Sequence, residues 1–116
     1  MDLRELVNDL NSMILKGQIM EAFEKYYADD VVMQENEQPP TVGKDANRER
    51  EKQFLANLTE LRGAQVKSVA VGDGVTMVEW FFDYTHKEWG KVTHHQVAVQ
   101  HWKNGKIVHE RFYYGS

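Results

Sequence analysis

The chain has 116 residues, enough for one hydrophobic core but not two, and carries 14 Lys and Arg against 18 Asp and Glu, for a formal net charge of −4. There is no basic excess to displace counterions, which argues against nucleic acid as a partner; the lack of cysteine excludes disulfides and thiolate chemistry. No apolar run approaches the roughly 20 residues of a membrane helix, and the opening Met1-Asp2-Leu3-Arg4-Glu5 lacks a signal-peptide apolar stretch, so one cytoplasmic domain over residues 1–116 is expected, with no membrane contact.

Leu3, Leu6, Val7, Leu10, Met13 and Ile14 recur at helical spacing and predict a first helix. Gly17 suits its C-terminal cap, because glycine accepts the left-handed conformation that ends many helices. Ile19, Ala22, Phe23, Tyr26 and Tyr27 form the stripe of a second helix. Val31 to Gln34 reads as a short strand, ending at Glu35 and followed by Gln38-Pro39-Pro40, which must be a turn or an edge. Lys44 to Leu61 reads as a third helix, anchored by Phe54, Leu55 and Leu58. Its first half, Arg48 to Lys52, is almost wholly charged and reads as a solvated face with i,i+4 pairing.

From Ala64 the pattern turns to β, with strands expected at about 64–72, 75–87, 92–103 and 106–114. Asn104-Gly105 is a strong hairpin signal, since both central residues of that turn need positive φ. The order α-α-β-α-β-β-β-β, with helices segregated from a late meander, predicts an α+β architecture.

Strand alternation sorts the candidate residues by face. Val78, Trp80, Phe82, Tyr84 and His86 share one face; His94, Gln96, Ala98 and Gln100 share another; Glu110, Phe112 and Tyr114 share a third. His94 and His95 point to opposite faces and cannot ligate one metal together, and no zinc-type spacing occurs, so no metal is expected. Phosphate loops, nucleophile elbows and dinucleotide fingerprints are absent as well. Proton transfer by Glu35, a carboxylate leaving a strand, is the chemistry that remains; the same residue could simply cap a turn or pair with a cation.

Gly17, Tyr27-Ala28-Asp29-Asp30, Glu35, Gln38-Pro39-Pro40 and Gly43, with the closing Trp102-Lys103-Asn104-Gly105-Lys106-Ile107, resemble the nuclear transport factor 2-like superfamily. That group includes SnoaL-like polyketide cyclases and ketosteroid isomerases. The resemblance implies a single SnoaL-like domain: a cone in which a curved antiparallel sheet wraps three N-terminal helices around a pocket for a small apolar or aromatic molecule, with no cofactor. Met33, Trp80, Phe82, Tyr84, Gln96, Ala98, Phe112 and Tyr114 would line it, with Glu35, His94 and Glu110 as candidate catalytic groups. The outer face, with Phe81, Val97, Val99, His101, Arg111 and Tyr113, would pair two copies into a homodimer. Glu35 falls where the isomerases place their proton-shuttling aspartate. Their oxyanion tyrosine meets an aliphatic stretch around Leu10 here, and their second oxyanion donor meets Ala98. Losing one such donor typically costs on the order of a hundredfold in rate, which argues against steroid isomerisation by the known apparatus. Two readings stand: an acid–base isomerase or cyclase acting on a small carbonyl compound, with His94 or Gln96 donating to the oxyanion, or a non-catalytic binding module whose carboxylates are satisfied by donors such as His94 or Tyr84.

Overall fold

A computed structural model describes residues 2–115; the ends of the expected domain, Met1 and Ser116, lie outside the described residues. Helix α1 (Leu3–Leu15) is capped by Asp2, whose carboxylate accepts from the Glu5 N–H at 2.9 Å. It ends at Gly17, with φ 81°, where the Gln18 N–H donates to the Met13 carbonyl and the Gly17 N–H to that of Ile14. This paired closure of a helix depends on the left-handed glycine. Helix α2 (Ile19–Tyr26) follows, then β1 (Tyr27–Glu35), β2 (Thr41–Val42), α3 (Lys44–Asn57), β3 (Leu58–Val71), β4 (Val75–His86), β5 (Gly90–Lys103) and β6 (Lys106–Tyr114). The six strands form one sheet in the order β2-β1-β6-β5-β4-β3. Only β1 and β6 run parallel; every other neighbouring pair is antiparallel. The architecture is the expected α+β one, three helices against a curved sheet.

Three boundaries differ from the sequence expectation. Strand β1 begins at Tyr27, directly from α2, so Tyr27 is a strand residue and not the end of a helical stripe. Asp29 and Asp30 have little β propensity, and the β1–β6 register slips between Tyr27 and Val32. The third helix stops at Asn57 instead of Leu61, and β3 starts at Leu58. Register shifts near Leu58, Leu61 and Val66 interrupt the alternation there. Bulges of this kind spoil the period of two and bend the strand, which is why Leu58 and Leu61 mimic helical spacing. The two-residue β2 was not expected at all; it pairs with β1 through Val32–Val42 and Met33–Thr41.

Val7 and Leu10 of α1 and Ala22, Phe23 and Tyr26 of α2 bury against Val31, Met33, Val78, Trp80, Trp102 and Ile107 of the sheet. The Asn104-Gly105 turn has φ of 53° and 77°, the twin positive values its hairpin requires. Among the described residues no helix is long and apolar enough to cross a membrane.

Candidate functional site

The concave face of the sheet and α3 enclose a cavity of about 680 Å³. Trp80, Phe82 and Tyr84 of β4, His94, Gln96 and Ala98 of β5, and Glu110, Phe112 and Tyr114 of β6 all line it, with Met33 and Glu35 of β1. Trp80 and Phe82 stack at 5.2 Å, and His94 stacks on Tyr114 at 5.3 Å. Phe54, the buried His86 and the exposed Trp89 form a second aromatic group along the lining, His86 and Trp89 lying 3.8 Å apart.

The carboxyls occupy three different environments. Glu35 sits at the rim with its side chain 41% exposed, paired with Arg50 at 3.1 Å and accepting from the Tyr114 hydroxyl at 3.4 Å. Arg50 also donates to Thr41 Oγ1 at 2.7 Å. Burial, followed by the charge of Glu35, holds the phenols of Tyr84 and Tyr114 above their ordinary value.

Glu110 lies on the floor, 1% exposed. Tyr27 donates to its Oε1 at 2.5 Å and Gln100 Nε2 to its Oε2 at 2.7 Å. Thr76, Gln100 and Glu110 are direct partners across β4, β5 and β6, so their side chains stand in one row. Thr76 donates to Gln100 Oε1 at 2.6 Å and accepts from Trp102 Nε1 at 2.9 Å. Burial pushes Glu110 up to about 7, against the pull of Tyr27 and Gln100, and the charge of Glu51 adds to the rise. The donors that satisfy the two carboxylates are thus Tyr27 and Gln100 for Glu110, and Arg50 and Tyr114 for Glu35; neither His94 nor Tyr84 serves.

Glu51 of α3 is the third carboxyl. It lines the cavity and makes no ion pair or side-chain hydrogen bond among the described residues. Burial and then the nearby Glu35 raise it to about 7, with Arg50 opposing. Sequence reasoning missed it by assigning the charged half of α3 to solvent. Part of that run is solvated, with Arg48–Asp45 and Lys52–Glu49 pairs at i,i+3 instead of the expected i,i+4. Yet Asn47, Arg50, Glu51, Phe54 and Asn57 form one inward stripe. Stepping back along the helix from the anchor Phe54 reaches Glu51 and Asn47, and that signal was present in the sequence.

A curved sheet over three helices, closed around an aromatic cavity holding carboxyls, defines a protein of the nuclear transport factor 2-like and cystatin-like class. The SnoaL-like domain family matches residues 1–114, and the chain belongs to it. A Mesorhizobium loti protein described as a SnoaL-like polyketide cyclase is 33% identical, covering 98% of this chain and 100% of that one with a TM-score of 0.89. A cystatin-like protein of unknown function from Xanthomonas campestris shares the fold at 11% identity, with a TM-score of 0.87 over 100% of this chain and 92% of that one. A Bacillus subtilis protein described as an isomerase does so at 18% identity, with a TM-score of 0.76 over 96% and 84%. A comparison with curated proteins returns no match.

Proposed function

We propose that the chain takes a small, largely apolar carbonyl compound into this cavity and moves a proton on it, as a cofactor-independent isomerase or cyclase. One observation carries the reading: Glu51 is an unpartnered carboxyl facing an aromatic cavity, raised to about 7 by burial. A group that titrates near the working pH can both accept and return a proton. Glu35 was the first candidate for this task. Its ion pair with Arg50 and its half-exposed position suit a rim residue that orients the ligand. The charge of Glu51 also raises Glu110, as the smallest influence on it after burial and its two hydrogen bonds.

A second reading is favoured by the complete satisfaction of Glu110 and the pairing of Glu35: a binding module that holds its ligand without turnover. A thermal-shift screen of small ketones and aldehydes, followed by turnover assays on wild type, Glu35→Gln and Glu51→Gln, separates the two. The acid–base reading expects hits to stabilise all three proteins and turnover to disappear only with Glu51→Gln. Turnover surviving in Glu51→Gln contradicts that role, and hits that no form converts support the module. Pairing of two copies through the outer sheet face is part of the same proposal. Met77 and Tyr113 there are 44% and 43% exposed, and sedimentation of the wild type tests it.

A further inference from the structure

We propose that Tyr27 forms a subsite for the oxygen of an aldehyde or ketone on the cavity floor, its hydroxyl hydrogen released to the ligand when Glu110 carries a proton. The proposal rests on the acid–base reading above and fixes which end of the ligand lies on the floor.

Hydrogen-bond direction decides where a proton on Glu110 sits. An indole N–H can only donate, so Trp102 Nε1, at 2.9 Å, makes Thr76 Oγ1 an acceptor. Thr76 donates its own hydrogen to Gln100 Oε1 at 2.6 Å, and Gln100 turns Nε2 towards Glu110 Oε2 at 2.7 Å. In this arrangement a proton on Oε2 would set two hydrogens against each other, so Glu110 carries one on Oε1.

Oε1 is 2.5 Å from the Tyr27 hydroxyl oxygen. While Glu110 is ionised, the hydrogen of Tyr27 occupies that line. Once Oε1 is protonated, its hydrogen points at Tyr27 and the phenolic hydrogen must turn elsewhere. Both residues line the cavity, and Tyr27 makes no second side-chain hydrogen bond among the described residues. The freed hydrogen therefore meets whatever acceptor the cavity holds.

The groups that face Glu110 are Tyr27 from β1, Gln100 from β5 and the charge of Glu51 from α3, itself under the influence of Glu35 and Arg50. Burial favours the neutral form of Glu110, and burial together with Glu110 holds the Tyr27 phenol well above its ordinary value, so Tyr27 keeps its proton. The subsite offers one neutral donor and no cation, beneath walls that include Trp80, Phe82 and Phe112. A carbonyl oxygen on an apolar body fits that chemistry; an isolated anion or a polyol does not.

Acetophenone, an aromatic ketone that only accepts hydrogen bonds, is the probe, read by the infrared carbonyl stretch of the bound molecule. Near about pH 6 the wild type should lower that stretch below its value in an apolar solvent; above about pH 8, with Glu110 ionised, the lowering should shrink. Glu110→Gln mimics the protonated acid, since its amide can accept from Gln100 and donate to Tyr27. It should lower the stretch at both pH values. Tyr27→Phe should bind the ketone without lowering the stretch. A bound ketone with the same stretch in wild type and Tyr27→Phe overturns the subsite alone. Failure of acetophenone to bind the wild type overturns the carbonyl reading of the cavity and the subsite with it. A third arm needs no ligand: near about pH 6 the protonated-carboxyl absorption of the wild type should exceed that of Glu110→Gln, which keeps only the contribution of Glu51, and equal absorption in the two overturns the gating by Glu110.

Discussion

Glu35 at the rim and Glu110 on the floor are glutamates of β1 and β6 in one cavity, separated by depth and by the charge of their partners. The rim carboxylate is 41% exposed and pairs with Arg50 at 3.1 Å. The floor carboxyl is enclosed, is held by a tyrosine and an amide instead of a cation, and is pushed up to about 7. Hydrogen bonds from neutral donors do not fully replace hydration of a charge. Position along a strand therefore tells less about proton chemistry than depth and the charge of the partner.

The contrast breaks most visibly if the floor is emptied. Glu110→Ala leaves the Tyr27 hydroxyl and a Gln100 N–H without partners in a buried site, and should cost on the order of 3 kcal/mol by denaturant unfolding. A cost near zero would mean that the row is dispensable.

The pH dependence of stability should be nearly as large. Glu110 moves from an ordinary 4.5 to about 7 in the fold, so the folded state holds the extra proton across that window. Its contribution is fully present below about 4.5 and is lost as pH rises through about 7, a fall of about 3 kcal/mol for a single such group. Unfolding curves between those limits should show this slope in the wild type and a flatter one in Glu110→Gln. Asp9, Glu24 and Asp83, held low by Tyr26, Arg48 and Arg62, act with the opposite sign and at lower pH.

Thr76→Val keeps the shape but deprives the Trp102 indole and Gln100 Oε1 of their partner, for a loss of about 1–3 kcal/mol. The smallest effect belongs to the rim. Glu35→Gln breaks an exposed pair with Arg50 and should change stability by about 0–1 kcal/mol, less in high salt. A loss from Glu35→Gln as large as that from Glu110→Ala would erase the distinction between the two regions.

Much of the fold was legible because alternation sorted the late strands by face and the family resemblance chose the inner one. Trp80, Phe82 and Tyr84 stand on one face, as do Glu110, Phe112 and Tyr114, and all six line the cavity. The site was less legible, for three physical reasons. Tyr27 continued the helical stripe of α2 into a bulged strand, so its face was misjudged. Glu51 sat within a run of mixed charge that looks solvated, although its spacing from Phe54 places it inward. The Thr76–Gln100–Glu110 row depends on register between strands, and register is fixed by pairing and turns, not by any single strand's pattern.

The central claim is that the half-buried Glu51 and the buried Glu110 hold a proton near neutrality. Titration of the glutamate side-chain carboxyl carbons by NMR in the wild type, with Glu51→Gln and Glu110→Gln to assign the signals, tests it directly. The account predicts two glutamate transitions near about 7, one lost with each replacement. Both carboxyls already ionised by about pH 5, with no glutamate signal moving above it, would contradict it.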